Sequence, residues 1–474
     1  MMKLSRVALS FITLCVLVFG ISGCSHKGTI QKFNDKYYSG DLEGAYKFAK
    51  SKYKDKDDMV LWGFESGIVA SQLNNQESFA LLDESERIFS HYEQEGLFSG
   101  IFSGAAAVIV NENVKTYRGN IYEGVLMNYY KALVLMKEGK NASARVEFNR
   151  ANDRQRRAKD YFHKDIQKAL ADQEKQNSKD SNLQQVDRRH TSSAANSLLA
   201  QQYSNLEAYR AYNNFINPAV SYVSALFFML ESDWAKSLDL YKEAYGMSKA
   251  KVIDEDIQVL ESRRRRDNST YTWLIIEDGI SPIKEEIAIN LPTYLVSSNV
   301  LHVGVAIPKL TEGKEFYTNL HIKGDTKVFN ASTIVDLEGV IANEFQAQFD
   351  FILTRAISSA ILKAVTQSVL SDQAGVYGSL AGMIYSVSTT SADVRISSVL
   401  PKKIHAVQIP NVVGKYQLMG NQRPLLNLEI SESCQPQDPK SLGAGTLTLC
   451  QKNDNILYIR LRPTTLSIQK LRGQ

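Results

Sequence analysis

The sequence predicts an α+β protein, with an all-helical N-terminal half followed by a C-terminal domain of mixed sheet and helix. Three observations carry this. From residue 29 to 261 the apolar residues follow a helical period, and Pro218 is the only proline. After the run Arg263-Arg264-Arg265-Arg266 the period changes to strand-like alternation. Between an early and a late group of strands lies a long, weakly charged helical stretch, 337–369. The chain has 474 residues, 44% hydrophobic and 22% charged, which is ordinary for a globular protein. At roughly 150 residues per domain, that length suits two or three domains. The net charge of +4 is too small to mark a nucleic-acid binder.

The first segment is a leader. Lys3 and Arg6 make a positive start, residues 7–21 are almost wholly apolar, and Ile21-Ser22-Gly23-Cys24 follows. A charged start, a short apolar core and small residues before a cut site describe a secretory signal, here 1–23. The apolar run is shorter than the ~20 residues a spanning helix needs. The last four residues resemble the lipobox of bacterial lipoproteins. That resemblance implies acylation of the Cys24 thiol and cleavage before it, with several acyl chains giving stable anchoring. Ser25, where an Asp would favour retention at the inner membrane, implies the outer membrane. An ordinary signal peptide, with Cys24 incidental, is the alternative.

The helical half runs from 24 to 261. One stretch reads Asn128-Tyr129-Tyr130-Lys131-Ala132 and continues to Ala144, Phe148 and Ala151. A second reads Ser221-Tyr222-Val223-Ser224-Ala225 and continues to Ser237, Tyr241 and Ala244. Each places small residues at the same two intervals, with an aromatic four positions after the middle one. This is similar to the tetratricopeptide pattern, in which small residues let two helices approach closely and the aromatic fills the gap to the next pair. A poorer copy sits at Gly40, Asp41, Ala45 and Ala49. The alternative is a generic helical bundle. Arg154, Arg156, Arg157, Lys159, Lys164 and Lys168 read as a solvated helix face. Near 173–200 a polar insertion lacks apolar periodicity. The small-residue segment 96–110 reads as a buried helix.

Residues 262–270 form a linker, and the α+β domain spans 271–474 as a separate core. Its strands are expected at 271–277, 285–289, 301–307, 316–322 and 327–335, then at 403–409, 416–419, 425–430, 446–449 and 456–461. Asp278-Gly279 and Ser281-Pro282 mark a turn between the first two. The apolar segment 375–387 is spaced by Gly and Ala. Cys15 leaves with the signal and Cys24 is acylated, so Cys434 and Cys450 remain in a compartment that permits disulfides. The turn-rich loop between them predicts a hairpin-like excursion closed by a disulfide. Two buried free thiols are the alternative.

Thr272 to Pro292, which includes Glu277-Asp278-Gly279, Pro282 and Lys284-Glu285-Glu286, resembles a block of uncharacterised bacterial lipoproteins with tetratricopeptide-like N-terminal halves. Ala392-Asp393-Val394-Arg395 with Leu400-Pro401 resembles a later block of that family, although Ser397 stands near the place of its Trp. The resemblance implies architecture and an envelope location, and it brings no catalytic residues.

None of the seven histidines forms His-Glu-x-x-His or stands at metal-ligand spacing with another. There is no phosphate loop and no nucleophile elbow. Glu277 and Asp278 sit at a strand end and read as part of a solvated turn; Asp393 and Arg395 read as a structural ion pair. The expectation is therefore an outer-membrane-anchored envelope lipoprotein, without cofactor or metal, acting as a protein-binding scaffold for a protein or peptide partner. A periplasmic enzyme acting on peptidoglycan or lipid is the second reading.

Overall fold

The computed structural model describes residues 25–56, 58–97, 116–179, 216–291, 303–349, 351–353, 355–357, 359–360, 363–364, 391–434 and 445–473. Cys24, the segment 98–110, most of the polar insertion and the segment 375–387 lie outside them.

Helices α1 (Ser25–Ser39), α2 (Leu42–Lys54), α3 (Met59–Gln72), α4 (Ser78–Glu95), α5 (Ile121–Lys137), α6 (Asn141–Lys179), α7 (Pro218–Leu230), α8 (Trp234–Ser248) and α9 (Lys251–Arg264) make up the N-terminal half. Short turns join several neighbours, so α3 packs on α4, α5 on α6 and α7 on α8. Local chemistry sets the ends. Asp41 caps α2 by accepting the Gly44 N–H at 2.9 Å, and Pro218 opens α7, where a missing N–H costs nothing. Glu123 reaches back to the Asn120 N–H at 2.9 Å in a capping box on α5.

The second half builds two five-stranded sheets and a two-stranded ribbon. Strands β1 (Tyr271–Asp278), β6 (Ser332–Asp336), β7 (Lys403–Pro410), β11 (Asn455–Leu461) and β12 (Leu466–Arg472) form the first sheet, in the order β12-β11-β1-β7-β6. Strands β4 (Leu320–Lys323), β5 (Val328–Asn330), β8 (Gly414–Gly420), β9 (Arg423–Ser431) and β10 (Thr446–Cys450) form the second, in the order β10-β9-β8-β4-β5. The ribbon pairs β2 (Lys284–Leu291) with β3 (Val303–Leu310). A helix begins at residue 337. The molecule is thus mixed, helical first and sheet-rich second, in agreement with α+β.

The layers follow from the strand period of two. On β1, Trp273 and Ile275 face the helices in one core that also holds Phe64, Tyr129 and Phe227. Leu274 and Ile276 face the second sheet, against Ile322, Leu418 and Leu428. The central strand is covered on both sides, which is why it reads Thr-Trp-Leu-Ile-Ile without alternation.

Several expectations are corrected here. The C-terminal half has no core of its own on its helix-facing side, because one continuous cluster runs from Phe33 to Leu471. The linker is not a free tether. Helix α9 extends into it, and Arg263 pairs with Asp454 at 2.7 Å. The turn at Asp278-Gly279 does not join paired strands: β1 pairs with β7 and β11, and among the described residues β2 pairs only with β3. The 327–335 strand is two strands, one in each sheet. β9 and β10 run parallel, so the segment between them is a crossover and not a hairpin; parallel pairing needs a dozen or more connecting residues. The strand pattern does not reveal β12, because two of its three buried residues, Ser467 and Gln469, are polar and only Leu471 is apolar.

Candidate functional site

The residues of the two repeat-like stretches all lie inside the helical half. Ala132, Ala144, Phe148 and Ala151 are buried where α5 meets α6, and the Phe148 ring lies 5.0 Å from that of Phe227 on α7. Ala225, Ser237, Tyr241 and Ala244 are buried between α7 and α8, with the Ser237 hydroxyl donating to the Ala225 carbonyl at 2.7 Å. Ala45 and Ala49 are buried as well. These side chains shape the packing and offer nothing to a ligand. Cys434 and Cys450 are joined by a disulfide with a Cα–Cα distance of 4.6 Å.

Arg154 departs from the expected solvated face. It is buried and donates to Glu86 at 2.7 Å and to the Gly124 carbonyl at 3.0 Å. Lys131 is buried nearby, with carboxylate oxygens of Asp83 at 2.6 Å and Glu147 at 3.2 Å.

Part of the joint between the halves is polar. Residues 395–398 lie across the helices and are held by three carboxylates from them. Asp58 accepts from the Arg395 guanidinium at 2.7 Å, Glu123 from the Ser397 N–H at 2.9 Å and Glu65 from the Ser398 N–H at 2.7 Å. Arg395 also forks onto Asp393, with both contacts at 2.9 Å. From the helix that starts at 337, Glu344 accepts the Ile121 and Tyr122 N–H groups at 2.7 and 2.9 Å. A carboxylate at the positive end of α5 is favourably placed. Burial nevertheless pushes both Glu65 and Glu344 up to about 8, against the pull of their backbone donors.

Glu277 and Asp278 are not a solvated turn, for both are fully buried. Adjacent on a strand, they point to opposite faces. Glu277 enters the helical layer, where it accepts from the hydroxyls of Tyr130 and Tyr458. Asp278 enters the rim between the two sheets. There its Oδ2 accepts the N–H groups of Phe316 and Tyr317 at 3.1 and 3.2 Å. The pleat therefore separates them, and they cannot act as a catalytic pair.

Asp278 does have convergent neighbours. Lys403 pairs with it across β1 and β7, and His405 stands two residues further on the same face. Glu315 comes from the loop before β4. One ligand-type atom from each of Asp278, Glu315 and His405 lies within 4.8 Å of the others. Two backbone hydrogen bonds between Ile280 and Lys314, at 2.7 and 2.8 Å, press that loop against the end of β1. Gly279, at φ +81°, permits this, since a Cβ there would strike the Lys314 carbonyl. Burial raises Asp278 to about 6 and lowers His405 to about 4, so the imidazole is neutral at pH 7. Sequence spacing could not show this cluster, because its members come from a strand end, a loop and a distant strand.

A separate groove of about 840 Å³ opens where the helices meet both sheets. Leu42, Gln72, Tyr317, Pro424, Leu466 and Ile468 are among its walls. No family model matches the chain, and neither does any curated protein or solved structure at a significant level.

Proposed function

We propose that the chain is an envelope lipoprotein, anchored through Cys24 to the outer membrane, which works as a binding scaffold for a protein or peptide partner. The observation that carries this reading is the junction of leader and fold. The lipobox-like Ile21-Ser22-Gly23-Cys24 is followed at once by α1, whose Phe33 and Tyr37 are buried in the core. An acyl group on Cys24 would hold the folded body directly at the membrane surface, with no intervening tether. The pairwise packing of α5 on α6 and α7 on α8 about small residues supports reading the helices as degenerate tetratricopeptide-like pairs. The two blocks that resemble a lipoprotein family supply, in this fold, the buried β1 and the polar joint at Arg395, which supports the same reading.

The groove between helices and sheets is the partner-facing surface in this proposal. In the cell envelope, Cys24→Ala should abolish acyl labelling and accumulate the precursor. A photo-crosslinking residue at exposed Thr464, on the groove wall, should yield a discrete adduct that the same residue at exposed Val146 does not. Unchanged labelling would remove the anchor, and identical adducts from both positions would remove the groove. The second reading, an envelope enzyme acting on peptidoglycan or lipid, draws on the convergence of Asp278, Glu315 and His405.

A further inference from the structure

We infer that Asp278, Glu315 and His405 form a binding site for one divalent transition cation, with zinc the best fit to the donor set. This goes beyond the scaffold reading and stands or falls separately from it.

The cluster is built, and two of its atoms point to a ligand. Asp278 Oδ1 and His405 Nε2 are buried and have no hydrogen-bond partner, although His405 is only 6% exposed and Asp278 not at all. Buried polar groups are seldom left unpaired, because each has given up its hydration. Both side chains are held by their other polar atom. Asp278 Oδ2 takes the Phe316 and Tyr317 N–H groups, and His405 Nδ1 lies 3.1 Å from the Thr333 hydroxyl. Orientation of a ligand by such an outer contact is the usual arrangement around a metal. Phe316 and Tyr317 also follow Glu315 directly, so the loop that orients the first carboxylate delivers the second.

Charge and chemistry agree. Two carboxylates and a neutral imidazole cancel a double positive charge in a buried place. An imidazole with carboxylates suits zinc, manganese or iron, whereas calcium and magnesium prefer oxygen alone. Three protein ligands leave a fourth position open, as in catalytic zinc sites. Ligand atoms around tetrahedral zinc stand about 3.3 Å apart, as bonds of about 2.0–2.1 Å require. The present spacing of up to 4.8 Å therefore needs a small inward movement. Glu315, half-buried on its loop, is the member free to make it. Lys403 holds Glu315 at 2.8 Å; both side chains are partly exposed, so a cation can displace the ammonium easily.

The test uses the tag-free full-length chain in detergent, stripped by a chelator and then offered zinc or cobalt. Wild type should take up one zinc per chain by elemental analysis, and the cobalt form should show visible absorption bands. Glu315→Gln and His405→Gln should each lose this uptake. Thr333→Val should weaken it by about ten- to a hundredfold, the usual size of an outer-contact effect. Lys403→Met, which removes the competing ammonium, should tighten it. Circular dichroism checks that each variant is folded. If His405→Gln does not fold, the half-buried Glu315→Gln decides. A folded wild type that takes up no zinc, or equal uptake by wild type and folded Glu315→Gln, overturns the inference.

Discussion

Arg395 ties the two halves together through buried charge. It is fully buried, forks onto Asp393 and reaches Asp58 on the helical side. Removing one partner of such a pair leaves an uncompensated buried charge, so Arg395→Met should cost about 3–5 kcal/mol in urea unfolding. Glu65 and Glu344 give a prediction in pH. Their folded values, about 8, lie above the ordinary carboxyl value of about 4.3. The folded state therefore binds more protons than the unfolded state between those limits, and stability falls as pH rises through the window. His405, depressed to about 4, acts oppositely, but only below its ordinary value of about 6.5. Between pH 6.5 and 8 only raised carboxyls act, Asp256 at about 7 adding to Glu65 and Glu344 in the same direction. The thermal midpoint should drop across that interval, and Glu65→Gln or Glu344→Gln should each flatten the decline. At this scale the sequence is a poor guide. Asp393 and Arg395 are legible as a pair, but Asp58 is distant in the chain, and Glu277 and Asp278 look like turn residues until both faces of β1 are seen to be covered.

Among the elements, the strands were legible and their partners were not. Alternation or a β-rich run marks β1, β7, β9 and β11, because half-buried and fully buried strands leave different local patterns. Nothing local says that β1 lies between β7 and β11, or that β9 and β10 run parallel. The disulfide spans this crossover, with a sequence separation of 16. In the chain-entropy model, closing a loop of that size contributes about 3 kcal/mol. Reduction should lower the unfolding midpoint accordingly, and peptide mapping without reductant should find Cys434 and Cys450 linked. In the helical half, Ala225 has no exposed surface, and its carbonyl receives the Ser237 hydroxyl. Ala225→Trp should overpack α7 against α8 at a cost of about 1–3 kcal/mol, measurable by denaturant titration. Small residues at helical spacing made that contact foreseeable. The close approach of Gly67 to Leu82 on the neighbouring helix belongs to a pair outside the two stretches that carried the pattern.

For the whole molecule, the shared core has a direct consequence. The helix-facing side of the first sheet packs against α3, α5 and α7 in a single cluster, and the joint buries Arg460, Arg395 and Glu277. A fragment of residues 271–474 would expose that apolar face and strand those charges. It should fail to give a cooperative unfolding transition, whereas the intact chain should unfold in one step by circular dichroism and by the fluorescence of its three tryptophans together. A fragment that folds alone with a sharp transition would show that the two halves are independent after all. The damage from Ala225→Trp should accordingly reach the sheets as well as the helices.

By itself the sequence carried the order of helices before strands and the rough spans of most strands; the leader, with Cys24 as its anchor, is an expectation of the same local kind. Each is written in neighbouring residues: a charged start before an apolar run, or a helical or strand period. The tertiary structure alone decided which strands pair, that the two halves share one core, and that Asp278, Glu315 and His405 meet at the sandwich rim. These depend on contacts between residues far apart in the chain. The free energy of such contacts comes from burial and from pairing buried charges, and neither leaves a local period to read.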